Sequence, residues 1–164
     1  MNNNENMLAK GLSASGGKIY IGADHAGFEL KEKIIPFLKG LNYEVVDKGA
    51  YKFNQEDDYP DFVREVALAV ANDFERSRGI VLGSSGQGEA IMANRFKGVR
   101  AVVYYGGNEE IIKLSREHND ANILSLGVRF MNEDEAKKAV KIWLETPFSN
   151  EKRHIRRINK IDSL

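Results

Sequence analysis

Gly79-Ile-Val-Leu-Gly-Ser-Ser-Gly-Gln-Gly-Glu-Ala-Ile-Met-Ala-Asn-Arg95 is the stretch that decides how this chain is read. Residues 79–82 form a short apolar run of the kind a buried parallel strand shows. Gly83, Ser84, Ser85, Gly86, Gln87 and Gly88 make a loop suited to a tight turn. Good helix formers follow, so the sequence predicts a helix beginning near Gly88. In a strand, loop and helix of this design, consecutive backbone N–H groups converge at the helix start and favour negative charge. Two common phosphate devices are excluded. No Lys-Ser or Lys-Thr pair closes the loop as a P-loop requires, and the glycines read G-x-x-G-x-G, not the dinucleotide fingerprint G-x-G-x-x-G. The loop instead delivers a carboxylate, Glu89, to the mouth of a strand, a good place for a general base.

Outward from this unit, strands alternate with helices. Residues 18–23, 43–47, 99–104 and 122–126 read as further strands. Residues 28–41 carry a helical apolar stripe, with Pro36 inside it as a kink or a break. Helices are also expected over 61–74, over 108–118 with Asn108 as cap, after the cap Asn132 until Pro147 stops it, and over 151–162. The economical architecture is α/β: a five-stranded parallel sheet with helices on both faces. Such sheets bind ligands beyond the carboxyl ends of their strands. Asp24, His25, the 84–89 loop and Arg129 follow strands and are candidate site residues. His118 and Asn119 precede one, so they must reach a site from another side, as from a second subunit.

At 164 residues the chain is expected to form a single domain over 18–164. Residues 1–17, rich in Asn, Ser and Gly, read as a flexible lead-in and not as a signal segment. With 24 acidic and 24 basic residues, no global field recruits nucleic acid or membrane. The absence of cysteine removes disulfides, thiolate metal sites and cysteine nucleophiles. No apolar stretch approaches the ~20 residues of a spanning helix, and a cytoplasmic location is expected.

Taken singly, the candidates have ordinary structural explanations. Asp24 can be a turn residue, Ser84 and Ser85 capping residues, and Glu89 a complement to the helix dipole. Arg153 and Arg157, spaced i, i+4 around His154 and Arg156, suit either a solvated basic face or a phosphate clamp.

Together the motifs are more specific. Gly22-Ala-Asp-His-Ala-Gly-Phe28, Asp47-Lys-Gly49, Asp58-Tyr-Pro60, the loop from Gly83 to Glu89 with Ala93-Asn94, Ser115-Arg-Glu-His-Asn-Asp120, Gly127-Val-Arg129, and Arg153-His154 with Arg157 occur in order. This pattern resembles the type-B ribose-5-phosphate isomerases, a family shared with galactose-6-phosphate isomerase subunits, over about residues 18–160. The resemblance implies a Rossmann-like three-layer sandwich and a dimer, or a tetramer, with sites at the subunit interface. It also implies interconversion of ribose 5-phosphate and ribulose 5-phosphate without metal or cofactor. Many members carry a catalytic cysteine at the position of Gly83, while a subgroup uses a glutamate at the position of Glu89, which this chain resembles. His118 would assist ring opening with Asp24 nearby; Asn119 and the loop from Ser84 to Gly88, Gly86 included, would hold the reacting oxygen. His25, Arg129, Arg153 and Arg157 would bind phosphate, the last two from the partner, with Asp58 and Tyr59 as weaker entries. The alternatives are an isomerase of allose or galactose 6-phosphate, and a non-catalytic sugar-phosphate-binding protein.

Overall fold

The computed structural model describes residues 17–164; the expected lead-in lies almost wholly outside them. The strands are β1 (Lys18–Ala23), β2 (Glu44–Asp47), β3 (Ser77–Gly83), β4 (Ala101–Tyr104) and β5 (Ile123–Gly127). All pair in parallel, in the order β2-β1-β3-β5-β4. The helices are α1 (Phe28–Gly40), α2 (Tyr59–Asn72), α3 (Gln87–Ala93), α4 (Glu110–Glu117), α5 (Glu133–Glu145) and α6 (Lys152–Asp162), with a 3-10 turn at Val128–Phe130.

Every residue of β3 and β5 is buried, as expected of central strands covered on both faces. Strand alternation sends Ile80, Leu82, Leu124 and Leu126 into one core with Ile34 and Leu38 of α1 and Val140 and Trp143 of α5. Val81 and Ile123 face the other core with Val63, Val66 and Val70 of α2 and Ala93 of α3. The parallel sheet with helices on both faces is the expected one. The strand order reverses between β1 and β3, so their carboxyl ends, Ala23 and Gly83, flank the crevice where such sheets take ligands.

Local departures from the sequence reading have identifiable causes. Helix α2 starts at Tyr59, two residues before the expected 61, because Pro60 in the first turn has a preset φ and no N–H that the helix would need. Pro36 neither breaks nor splits α1; it lies on the exposed side of the helix, where the hydrogen bond its missing N–H cannot give costs least. Asn108 lies just outside α4, where its side chain accepts a hydrogen bond from the Glu110 N–H at 2.9 Å. Lys31, fully buried on α1, pairs with Asp47 at the end of β2, whose other oxygen accepts the Gly49 N–H. The Asp47-Lys-Gly49 motif is thus a structural clasp. Among the described residues no helix is long and apolar enough to cross a membrane.

Asn132 forms a full capping box with Glu135, each side chain bonded to the other's backbone N–H. Asn132→Ala should lower unfolding free energy by about 1 kcal/mol, read by denaturant titration, through loss of that cap. An unchanged midpoint would show that the box contributes nothing.

Candidate active site

The loop after β3 is fixed by its neighbour strand. Gly86 adopts a left-handed conformation (φ +76°) as it opens α3, and its carbonyl accepts a hydrogen bond from the Ser125 hydroxyl at 2.7 Å. The Ser84 carbonyl accepts the Arg129 N–H at 3.1 Å, and Ser85 Oγ accepts the Gln87 N–H at 3.3 Å. The cradle is therefore a rigid part of the sheet edge, and Tyr59 packs its ring against Gly88 on its flank.

Glu89, in the first turn of α3, is only 4% exposed and turns back over the end of β3. A Cβ built on Gly83 would fall inside the Glu89 carboxylate. The carboxylate thus fills the space a side chain at position 83 would need. Burial pushes its pKa up, its own backbone N–H pulls the other way, and the charge of Asp24 pushes it up further. A helix start alone would lower it; here desolvation wins. A carboxylate held in this state is a competent proton acceptor.

Asp24 and His25 leave the end of β1 on the other side of the crevice. Asp24 is 7% exposed, and its Oδ1 accepts the N–H groups of Ala26 and Gly27 at 3.0 and 3.2 Å, so the turn role and the site position coincide. His25 Nδ1 lies 2.8 Å from Asp57 Oδ1 and 3.9 Å from Asp24 Oδ2. The hydrogen bond to Asp57 raises the His25 pKa above 6.5; desolvation opposes this and Asp24 reinforces it. Asp24, His25 and Asp57 each offer a ligand atom within 4.8 Å of the others, and this is the set among the described residues that could hold a cation. Asp58 is exposed at the start of α2; its neighbour Asp57, not Asp58, is the acid that reaches His25. Arg129 stands exposed on the 3-10 turn at the rim of the loop.

The remaining candidates sit at the opposite pole. His118 caps the C-terminus of α4 and, with Asn119, precedes β5. The five residues of β5 put about 16 Å of strand between this end and the cradle. The His118 ring stacks on His154 of α6, centroids 4.3 Å apart and planes 13° apart. His154 is 3% exposed; its Nε2 makes no hydrogen bond and lies 3.9 Å from the Glu151 carboxylate, and burial, then His118 and Arg153, push its pKa down. Arg153 and Arg157 are exposed on α6, and Arg100, bonded to the Asn119 carbonyl and to Asp162, ties α6 to this edge. Within one chain the structure brings together Glu89, Asp24, His25, Tyr59, the loop from Gly83 to Gly88 and Arg129. It does not bring His118, Asn119, Arg153 or Arg157 to them. The partners of Asp57 and His154 are set by tertiary packing; local sequence shows only an aspartate beside Asp58 and a histidine between arginines.

A doubly wound α/β sheet with a buried carboxylate beside a glycine cradle at its switch point defines a Rossmann-like protein whose chemistry belongs at the carboxyl edge. The chain belongs to the Ribose/Galactose Isomerase family, whose model matches residues 19–161. It is 42% identical over 145 residues to ribose-5-phosphate isomerase B of Mycobacterium tuberculosis, covering 88% of each chain. It is 40% identical over 147 residues to ribose-5-phosphate isomerase B of Escherichia coli, covering 90% of this chain and 95% of that one. The crystal structure of ribose-5-phosphate isomerase B from Mycoplasma genitalium with bound ribulose-5-phosphate is similar, with a TM-score of 0.85 and 38% identity over 89% of this chain and 94% of that one.

The raised pKa of Glu89 has a stability consequence with a definite sign. Its folded-state value lies above the ordinary 4.5, so the stability contributed by the protonated form is complete below 4.5 and is lost as pH rises through the folded value. Glu89→Gln should therefore melt close to the parent in acid and progressively above it towards neutral pH. A melting difference that does not change with pH would contradict the burial account.

Proposed function

We propose that this chain is an aldose–ketose isomerase that interconverts ribose 5-phosphate and ribulose 5-phosphate, with Glu89 as the base. The observation that carries the assignment of the base is the buried Glu89 carboxylate lying over the side-chain-free Gly83. The family relationship and the named relatives support the substrate.

The chemistry sets three tasks: opening the furanose ring, removing a weakly acidic C–H proton, and stabilising the oxyanion that develops. In the open-chain aldose, the Glu89 carboxylate takes the proton from C2 and the electron pair moves toward the C1 oxygen, giving an enediolate. The O2 proton passes to O1, and protonated Glu89 returns a proton to C1, so the ketose forms with no net gain or loss of electrons or protons. Fixed dipoles of the loop through Ser84, Ser85, Gly86 and Gly88 suit the developing oxyanion because they need no reorganisation. His25 and Arg129 bind the phosphate, which orients the end that does not react. This is the glutamate-base version of the family's chemistry, in the pentose phosphate pathway and in the cytoplasm, and it draws on no metal.

The assembly is a homodimer with shared sites. One chain carries the base at one pole of its sheet and His118, Asn119, Arg153 and Arg157 at the other. A second copy supplies what each crevice lacks: His118 for ring opening beside Asp24, Asn119 for the reacting oxygen, and the arginine pair on the phosphate.

Two assays test this reading. Chelator-treated protein should convert ribose 5-phosphate to ketose with higher kcat/KM than allose or galactose 6-phosphate; preference for a hexose phosphate would replace the substrate, and no turnover would replace the activity. Glu89→Gln and His118→Ala chains, each inactive alone, should recover about a quarter of parental activity when unfolded, mixed and refolded together. Half of the dimers would then be mixed, each with one intact site. Recovery of nothing would mean that each site is built within a single chain.

A further inference from the structure

We propose that Asp57 is a positioning residue for His25, holding its imidazole so that Nε2 is presented as a hydrogen-bond donor to the substrate phosphate. The proposal rests on the phosphate role of His25 given above and adds the group that makes that role possible. Nothing in the local sequence joins these residues, which are 32 positions apart on separate connections.

Asp57 Oδ1 accepts two hydrogen bonds from the same residue: the His25 backbone N–H at 2.9 Å and ring Nδ1 at 2.8 Å. A carboxylate is an acceptor only, so the proton between them belongs to Nδ1, and Nε2 is the nitrogen left for a ligand. In a neutral ring Nε2 would then carry a lone pair and oppose a phosphate oxygen. In the charged ring it carries a hydrogen and matches one. The Asp24 carboxylate, 3.9 Å from Nδ1, joins Asp57 in favouring the charged ring.

Packing supports a dedicated role. Residues 51–56 are exposed, whereas the Asp57 side chain is 8% exposed and its second oxygen is buried with no partner. Burying half a carboxylate unpaired costs stability, which a residue serving only as loop surface would not incur. The connection does not depend on Asp57 for attachment, because the Ala50 N–H already donates to the Ala23 carbonyl at 2.7 Å and Phe53 packs edge-on against Phe28.

Asp57→Asn keeps the shape and removes the charge. It should raise KM for ribose 5-phosphate about tenfold with kcat changed less than about twofold, the signature of lost grip on the non-reacting end. His25→Ala should raise KM comparably, and the double variant should be no worse than His25→Ala alone, since Asp57 then has nothing to hold. In the folded, ligand-free protein, ring nitrogen NMR shifts of His25 should report a proton on Nδ1, and Asp57→Asn should change them and move the ring's titration to lower pH. An unchanged KM in Asp57→Asn, unchanged ring shifts, or full additivity in the double variant would overturn the positioning role while leaving His25 on the phosphate. An unchanged KM in His25→Ala would instead overturn the phosphate assignment, and this proposal with it.

Discussion

The structure depends on a carboxylate placed where another residue's side chain would be. Gly83 ends β3 with nothing beyond its Cα, and Glu89, six residues later, folds back over it and is buried there. This requires a loop that reverses within a few residues and does not move. The left-handed Gly86 supplies the reversal, and the Ser125 hydroxyl and the Arg129 N–H fix it to the β5 edge. Desolvating Glu89 costs stability and raises its pKa together, so one geometric fact couples fold energetics to base strength.

The strand order then dictates the rest. Because all strands run in parallel, everything that follows a strand gathers at one pole and everything that precedes one gathers at the other. Glu89, Asp24 and His25 fall at the first; His118, with His154 stacked beneath it and the arginines of α6 nearby, falls at the second. No rotamer change spans a strand of five residues. The proposed shared site rests on that polarity: a single copy carries the two sets of candidate residues at opposite poles of its sheet.

Much of the fold was legible in the sequence because it rests on local signals. A continuous apolar run marked β3, a 3.6-residue stripe marked α1, and Asn132 announced α5 together with its acidic first turn. The glycine spacing after Leu82 excluded nucleotide-binding loops and pointed to Glu89. What could not be read was non-local. The placement of β5 between β3 and β4 is a pairing choice that no single segment records. Lys31 is fully buried against Asp47, a pairing between a helix and a strand end that no local signal records. Asp58 stood in the motif, but it was Asp57 whose side chain turned inward to His25, because Pro60 starts α2 early and leaves Asp58 exposed at its cap. The direction of the Glu89 pKa was likewise undecided between helix dipole and burial until the depth of the pocket was known.

Carbon-bound proton exchange tests the central claim most directly. In deuterated water, with ribose 5-phosphate at equilibrium, the parent protein should place deuterium at C2 of the aldose and C1 of the ketose. Glu89→Gln should still bind a phosphate ligand yet leave both carbon-bound hydrogens unexchanged. Exchange in that variant at a rate near the parent's would show that some other group removes the proton, and the role given to the carboxylate over Gly83 would be wrong.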